Sequence, residues 1–195
     1  TAKLALVAAA LSTSALSPLA LAAPAPAQPA VTAAIAVPPI AFQQRVLANG
    51  LKVFTSRDTT TPNVSVQVWY GVGSKDDPQG RSGFAHLFEH LMFNGSENAP
   101  RDYFQYLHEM GATDYNGTTN FDRTNYFQTV PRPALERALW LESDRMGYLL
   151  GAVTQEKLDN QRGVVQNEKR QGDNQPGGLV CYEIVNTLFP APHPY

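Results

Sequence analysis

The chain has 195 residues, 43% of them hydrophobic and 16% charged, with a formal net charge of −2. That supplies enough apolar material for one modest domain with its own core. Lys and Arg are scattered rather than gathered into a basic stripe, which argues against a nucleic-acid partner, and the single Cys181 excludes an intrachain disulfide.

Residues 1–22 read as a secretory signal peptide that is incomplete at its start. Lys3 precedes an apolar run from Ala5 to Ala23, Ala20-Leu21-Ala22 offers a small-x-small cleavage pattern, and the first residue is Thr1 rather than Met. The uninterrupted apolar core is about a dozen residues and is broken by Pro18, too short for a stable membrane span of about 20 residues. Export is therefore expected, to the periplasm or further out. Residues 23–40, APAPAQPAVTAAIAVPPI, hold too little bulky apolar surface to fold alone and predict an Ala/Pro-rich linker.

The fold is expected in residues 41–195. Phe42 to Leu47, an Ala-Asn-Gly turn and Leu51 to Ser56 predict a hairpin. Val64 to Val72 predicts a strand with Val64, Val66 and Val68 on one face and Ser65, Gln67 and Trp69 on the other. Gly71, Gly73 and Gly83 loosen the backbone before a helix over FAHLFEHLMF, residues 84–93. Pro100 is placed to open a second helix that Gly111 ends. Asp114 to Thr119 and Thr124 to Val130 predict strands, and Pro133 to Leu150 and Thr154 to Gln171 predict helices. Trp69, Trp140, Tyr103, Phe104 and Tyr106 are expected in the core, and Cys181 as an inert buried thiol. This is an α+β pattern, an antiparallel-rich sheet with helices packed on one face.

The chemistry is concentrated in His86, Glu89 and His90. On a helix, residues four apart stack one turn above the other, so both imidazoles can reach a single ion while the carboxylate between them stays free to act on water. H-x-x-E-H is the inverzincin pattern. Its apolar neighbours Leu87, Phe88, Leu91, Met92 and Phe93 predict a buried helix, on which three polar groups are costly without a partner such as a metal. A catalytic zinc usually has three protein ligands and one open position. Spacing alone leaves the third ligand open among Glu109, Glu136, Glu142, Asp144, Glu156, Asp159 and Glu168, each otherwise a solvated helix charge. His108 is expected as a charge complement at its helix end and His193 as an isolated side chain between prolines.

Three blocks, GFAHLFEHLMFNGSENAP, YFQYLHEMGATDYNGTTNFDRTNYFQTVP and LDNQRGVVQNEKRQ, agree in order and spacing with the pitrilysin family of zinc peptidases, which the chain resembles from about Phe42 onward. The resemblance implies Glu168 as third ligand beside His86 and His90, one Zn2+ per site, and Glu89 as general base of an endopeptidase acting on peptides or small unfolded proteins. It also implies that Asn116, Gly117 and Thr118 lie on an edge strand that receives the peptide, although the Asn-Gly pair alone equally suggests a turn. Gln161 stands where many members carry a supporting acidic residue, and an amide can hydrogen-bond there but holds no charge. The resemblance further implies that residues 41–195 are an N-terminal half-module, cut short at its C-terminal end and weakly active or inactive alone. A missing C-terminal half or a homologous subunit would close the site. Two other readings remain open: a zinc-bearing subunit active only with a partner, and a non-catalytic scaffold module.

Overall fold

Alternation of apolar and polar side chains along Asn63–Tyr70 makes this stretch a strand with one dry face, and it is the first of three strands in the main sheet. The structure, a computed structural model, describes residues 39–195. They fall into two units, one ending at Ser56 and one running from Arg57 to Tyr195. The predicted signal peptide and nearly all of the predicted linker lie outside the described residues.

In the first unit, strands β1 (Gln43–Val46) and β2 (Lys52–Thr55) form an antiparallel hairpin with Gln43 opposite Thr55 and Val46 opposite Lys52. Gly50, at φ +88°, makes its turn, and the Leu51 N–H donates to Asn49 Oδ1 at 3.1 Å.

In the second unit, β3 (Asn63–Tyr70), β4 (Thr113–Thr119) and β5 (Thr124–Pro131) form an antiparallel sheet in the order β3-β5-β4, which leaves β4 at an edge. Val66 pairs with Gln128, Val68 with Tyr126, and Gly117 with Tyr126, so these residues share one face. A register shift between Thr113 and Asn116, with Asp114 at φ 49°, bends β4 beside the site described below.

Helices α1 (Phe84–Leu91), α2 (Tyr103–Glu109) and α3 (Leu135–Tyr148) pack on that face. Met92, Phe93, Tyr103, Leu107, Tyr126, Val130, Ala138 and Leu141 form one buried cluster between them. Helices α4 (Gln155–Asp173) and α5 (Val180–Leu188) follow. The outward face of β3 stays wet, with Ser65, Gln67 and Trp69 exposed. The α+β architecture with an antiparallel sheet is as expected, and the hairpin and the three main-sheet strands lie within a residue or two of their predicted bounds. Among the described residues no helix is long and apolar enough to cross a membrane.

Four expectations need correction. The second helix does not start at Pro100: Asp102 caps it, accepting from the Phe104 N–H at 2.8 Å, so the first helical residue is Tyr103. Trp69 and Trp140 are 60% and 48% exposed rather than core, while Tyr103 and Tyr106 are buried as expected. Cys181 is exposed. Glu142 and Asp144 are buried rather than solvated. Helix α5 had no counterpart in the sequence reading.

The buried charge has partners. Arg145 donates from Nε to Glu142 Oε2 at 2.9 Å, and its guanidinium lies 4.2 Å from the Tyr103 ring centre and 4.1 Å from that of Tyr126. Glu142 also accepts from Gln128 Nε2 at 2.8 Å and from the Tyr103 hydroxyl at 3.2 Å. Burial pushes the Tyr103 and Tyr126 hydroxyls well above their ordinary pKa, and that of Tyr70 up to about 12. Asp144 accepts from Ser96 Oγ and, at 2.7 Å, from Asn98 Nδ2. Burial raises its pKa, but these hydrogen bonds outweigh burial and hold the carboxyl below its usual range. They fasten the loop after α1 to α3.

Candidate active site

Helix α1 begins where Gly83 adopts φ +91° and supplies no capping side chain. Asp77 supplies the cap instead. Its carboxylate accepts from the N–H groups of Gly83 at 2.7 Å, Phe84 at 3.3 Å and Ala85 at 2.8 Å, which satisfies three orphan donors and places negative charge at the positive end of the helix. The sequence reading missed Asp77, because a cap seven residues before the first helical residue leaves no local signature.

From α1, His86 and His90 bring their Nε2 atoms to 3.2 Å from each other. Glu168, from the C-terminal half of α4, places Oε2 at 3.4 Å from each of them. Four ligands at about 2.0–2.1 Å around a tetrahedral zinc stand about 3.3–3.4 Å apart, so the three donor atoms already describe one face of such a tetrahedron. Two imidazoles and one carboxylate with that spacing are the donor set a catalytic zinc takes, and the residues present fit the ion.

His90 is oriented from behind. Its Nδ1 faces Gln161 Oε1 at 3.3 Å, and donation from Nδ1–H leaves the Nε2 lone pair aimed at the other two donors. Gln161 Nε2 donates to Asn94 Oδ1 at 3.2 Å, and Asn94 Nδ2 donates to the His90 carbonyl at 2.9 Å, so both ends of the Gln161 amide are used.

Glu89 points into the same cleft and is buried, at 7% exposure. Thr119 Oγ1 on β4 donates to Glu89 Oε2 at 2.5 Å, and Thr124 Oγ1 lies 3.3 Å from that hydroxyl. The cleft, of about 300 Å³, is completed by Phe93, Asn94, Asp102, Phe104 and Asn116.

His86, Glu89, His90, Glu168, Gln161 and Asn116 therefore meet around one cleft. Asn116-Gly117 lies within the β4 strand, not at a turn. Gly117 faces α1, where a Cβ would come within 3.0 Å of Phe93 Cε2 and 3.1 Å of Glu89 Cγ and Oε1. Thr118 turns to the other face of the sheet, where its hydroxyl bonds Asn125 Oδ1 at 2.5 Å and the Arg123 guanidinium. Thr119, absent from the sequence-based site, touches Glu89. His108 lies 2.5 Å from the Tyr115 hydroxyl and His193 beside the Phe189 ring; neither joins the metal-type cluster.

Comparison with known proteins gives the same neighbourhood. The family described as insulinase, peptidase family M16, matches residues 52–190. The zinc protease PqqE of Helicobacter pylori is 33% identical over 151 residues, 76% of this chain and 33% of that protein. The insulin-degrading enzyme homolog of Dictyostelium discoideum is 37% identical over 146 residues, 73% of this chain but 15% of that protein. Among solved structures, a protease from Helicobacter pylori superimposes with a TM-score of 0.72 at 32% identity, over 80% of this chain and 37% of the other. Pitrilysin shares the fold, with a TM-score of 0.68 at 24% identity. The chain thus spans about a third of the length of the Helicobacter relatives.

Proposed function

Because this chain belongs to the insulinase family, peptidase family M16, we propose that it carries the catalytic centre of a zinc-dependent endopeptidase acting on peptides or small unfolded proteins. The observation that carries this reading is the near-equilateral triangle of His86 Nε2, His90 Nε2 and Glu168 Oε2, with the Glu89 carboxylate in the same cleft.

In this reading His86, His90 and Glu168 hold the ion. Zinc, when bound, supplies Lewis acidity and lowers the pKa of a coordinated water to about 7. Glu89 accepts a proton from the attacking water and returns it to the departing amine, a role suited to a carboxylate that is shielded from bulk solvent but opens on the cleft. Gln161 holds His90 in the tautomer that presents Nε2. The free edge of β4 offers main-chain N–H and C=O groups to an extended peptide, which would add as a fourth strand past Asn116. Affinity then comes from backbone, so varied sequences are accepted. Thr118 contributes through its main chain, since its side chain faces away.

The His86 and Glu168 side chains are 38% and 46% exposed, which favours a further element that covers the cleft during turnover. We propose that a later segment of the protein or a homologous subunit supplies it, and that residues 1–22 direct export. A purely structural metal is disfavoured by Glu89 in the cleft and by a donor set without Cys.

Glu89→Gln tests the central claim. Zinc should remain stoichiometric while kcat falls by about 10²–10⁴. Turnover within a few-fold of the parent protein, with zinc bound, would remove Glu89 from the reaction.

A further inference from the structure

Glu89 is held by the strand that offers its edge to substrate. Two inward-facing residues of β4 touch it. Thr119 donates its hydroxyl to Oε2 at 2.5 Å, and Gly117 lets the strand approach until a Cβ would stand 3.1 Å from Glu89 Cγ and Oε1 and 3.0 Å from Phe93. The strand is fixed in turn. Thr124 Oγ1 lies 3.3 Å from Thr119 Oγ1 and donates to the Val72 carbonyl at 3.0 Å, and the Ser74 N–H donates to the Asn120 carbonyl at 2.9 Å. A two-oxygen carboxylate at the end of a side chain with three rotatable bonds needs an external constraint to keep one oxygen available to water, and here, among the described residues, the side-chain hydrogen bond to that carboxylate comes from β4.

We propose that Thr119 and Gly117 are positioning residues for the general base. Thr119 fixes Oε2, Gly117 clears the space occupied by Oε1, and Oε1 is left as the oxygen that handles the proton. The claim rests on Glu89 being the base. It also gives strand addition a second consequence: a peptide that docks on the β4 edge stiffens the strand that aims the carboxylate, so good backbone pairing raises kcat as well as lowering KM.

Thr119→Val keeps the shape and removes the hydroxyl, and Thr119→Ser restores it. A hydrogen bond to a charged group is at stake. In the zinc-loaded protein, Thr119→Val should lower kcat about 10–100-fold, with zinc affinity and KM for a fixed peptide changed less than about threefold. Thr119→Ser should recover most of the loss. Gly117→Ala, which must displace Glu89 or Phe93 by a few tenths of an ångström, should lower kcat by about tenfold. A crystal structure of Thr119→Val should show the Glu89 carboxylate turned from its present orientation, a readout that needs no activity.

Glu89 unmoved in that structure, or kcat equal to that of the parent, overturns the proposal. A fall in zinc affinity matching the loss of turnover also overturns it, because Thr119 would then act through the metal. Persistence of turnover in Glu89→Gln would strike the general-base reading instead, while the Thr119→Val structure would still decide whether Thr119 sets the carboxylate.

Discussion

Helix α4 should be tied to the rest of the unit by the metal more than by packing. It is 19 residues long and has no buried residue. Half-buried Leu158, Gln161 and Val165, followed by Glu168, form a stripe at spacings of three and four, and that stripe meets α1 through Gln161 and Glu168. An opening of α4 that carries Glu168 away must also release one of the three proposed zinc ligands. At a free zinc concentration 100 times the dissociation constant, linkage stabilises the closed form by up to about 2.7 kcal/mol, a factor of about 100 in the opening equilibrium, the limit in which the opened form with only two imidazoles does not hold the ion. Amide hydrogen exchange should therefore slow about 100-fold across residues 158–168 when zinc is added, and return on chelation. Amides at the centre of β5, such as that of Gln128, exchange through larger openings and should respond less to the Glu168 link. In Glu168→Ala the zinc effect on α4 should largely vanish. Equal exchange of α4 with and without zinc, in protein shown by metal analysis to be saturated, would refute the idea that Glu168 staples the helix.

Three further outcomes can be checked independently. Arg145→Met strands Glu142, which is 2% exposed, without its cation, so unfolding in denaturant should show a loss of about 3–5 kcal/mol, and adding Glu142→Gln should return part of it. Gln161→Ala removes the acceptor facing His90 Nδ1 and should weaken zinc about 10–100-fold in competition with a chromophoric chelator, with little change in the circular dichroism of the fold. Glu109 is held at about 2 by hydrogen bonds from Arg101 and then Arg137, a depressed carboxylate, so whatever stability it contributes is complete above its unfolded value near 4.5 and is lost as pH falls from there toward 2. An NMR titration in which its side-chain carboxyl moves at 4 or higher would contradict the pairing.

The parts legible in the sequence were those whose signal is local. Asn49-Gly50 fixes a hairpin turn, the alternation of Val64, Val66 and Val68 fixes the dry face of β3, and the four-residue spacing of His86 and His90 fixes a shared helix face. Misreadings arose where one local signal outweighed another or where partners are distant. Pro100 suggested a helix start, but Asp102 is the residue whose carboxylate reaches a free N–H. Trp69, an aromatic expected in the core, lies by strand alternation with Ser65 and Gln67 on the wet face, 4.9 Å from the Arg123 guanidinium. Thr119 escaped notice because its significance depends on a carboxylate 30 residues earlier, brought near by the pairing of β4 with β5 and the seating of α1 on the sheet.

The proposed third metal ligand shows how tertiary structure separates residues that sequence leaves equal. Seven downstream carboxylates were candidates. Glu109 is paired with Arg101 and Arg137, Glu142 with Arg145, and Asp159 with Arg162. Asp144 accepts from Ser96 and Asn98, while Glu136 and Glu156 sit in the first turns of α3 and α4, where a negative charge complements the helix dipole. Each of these six has a task that requires no metal. Glu168 differs in that, among the described residues, its ion-pair partners are the two imidazoles of α1, equidistant at 3.4 Å. A carboxylate oxygen centred on two ring nitrogens that lie 3.2 Å apart is poorly matched to a single shared proton but well matched to one cation equidistant from all three atoms. The same reasoning ranks the variants: replacing Glu109 or Asp159 should leave zinc affinity as it is, and replacing Glu168 should weaken it more than replacing Gln161 does.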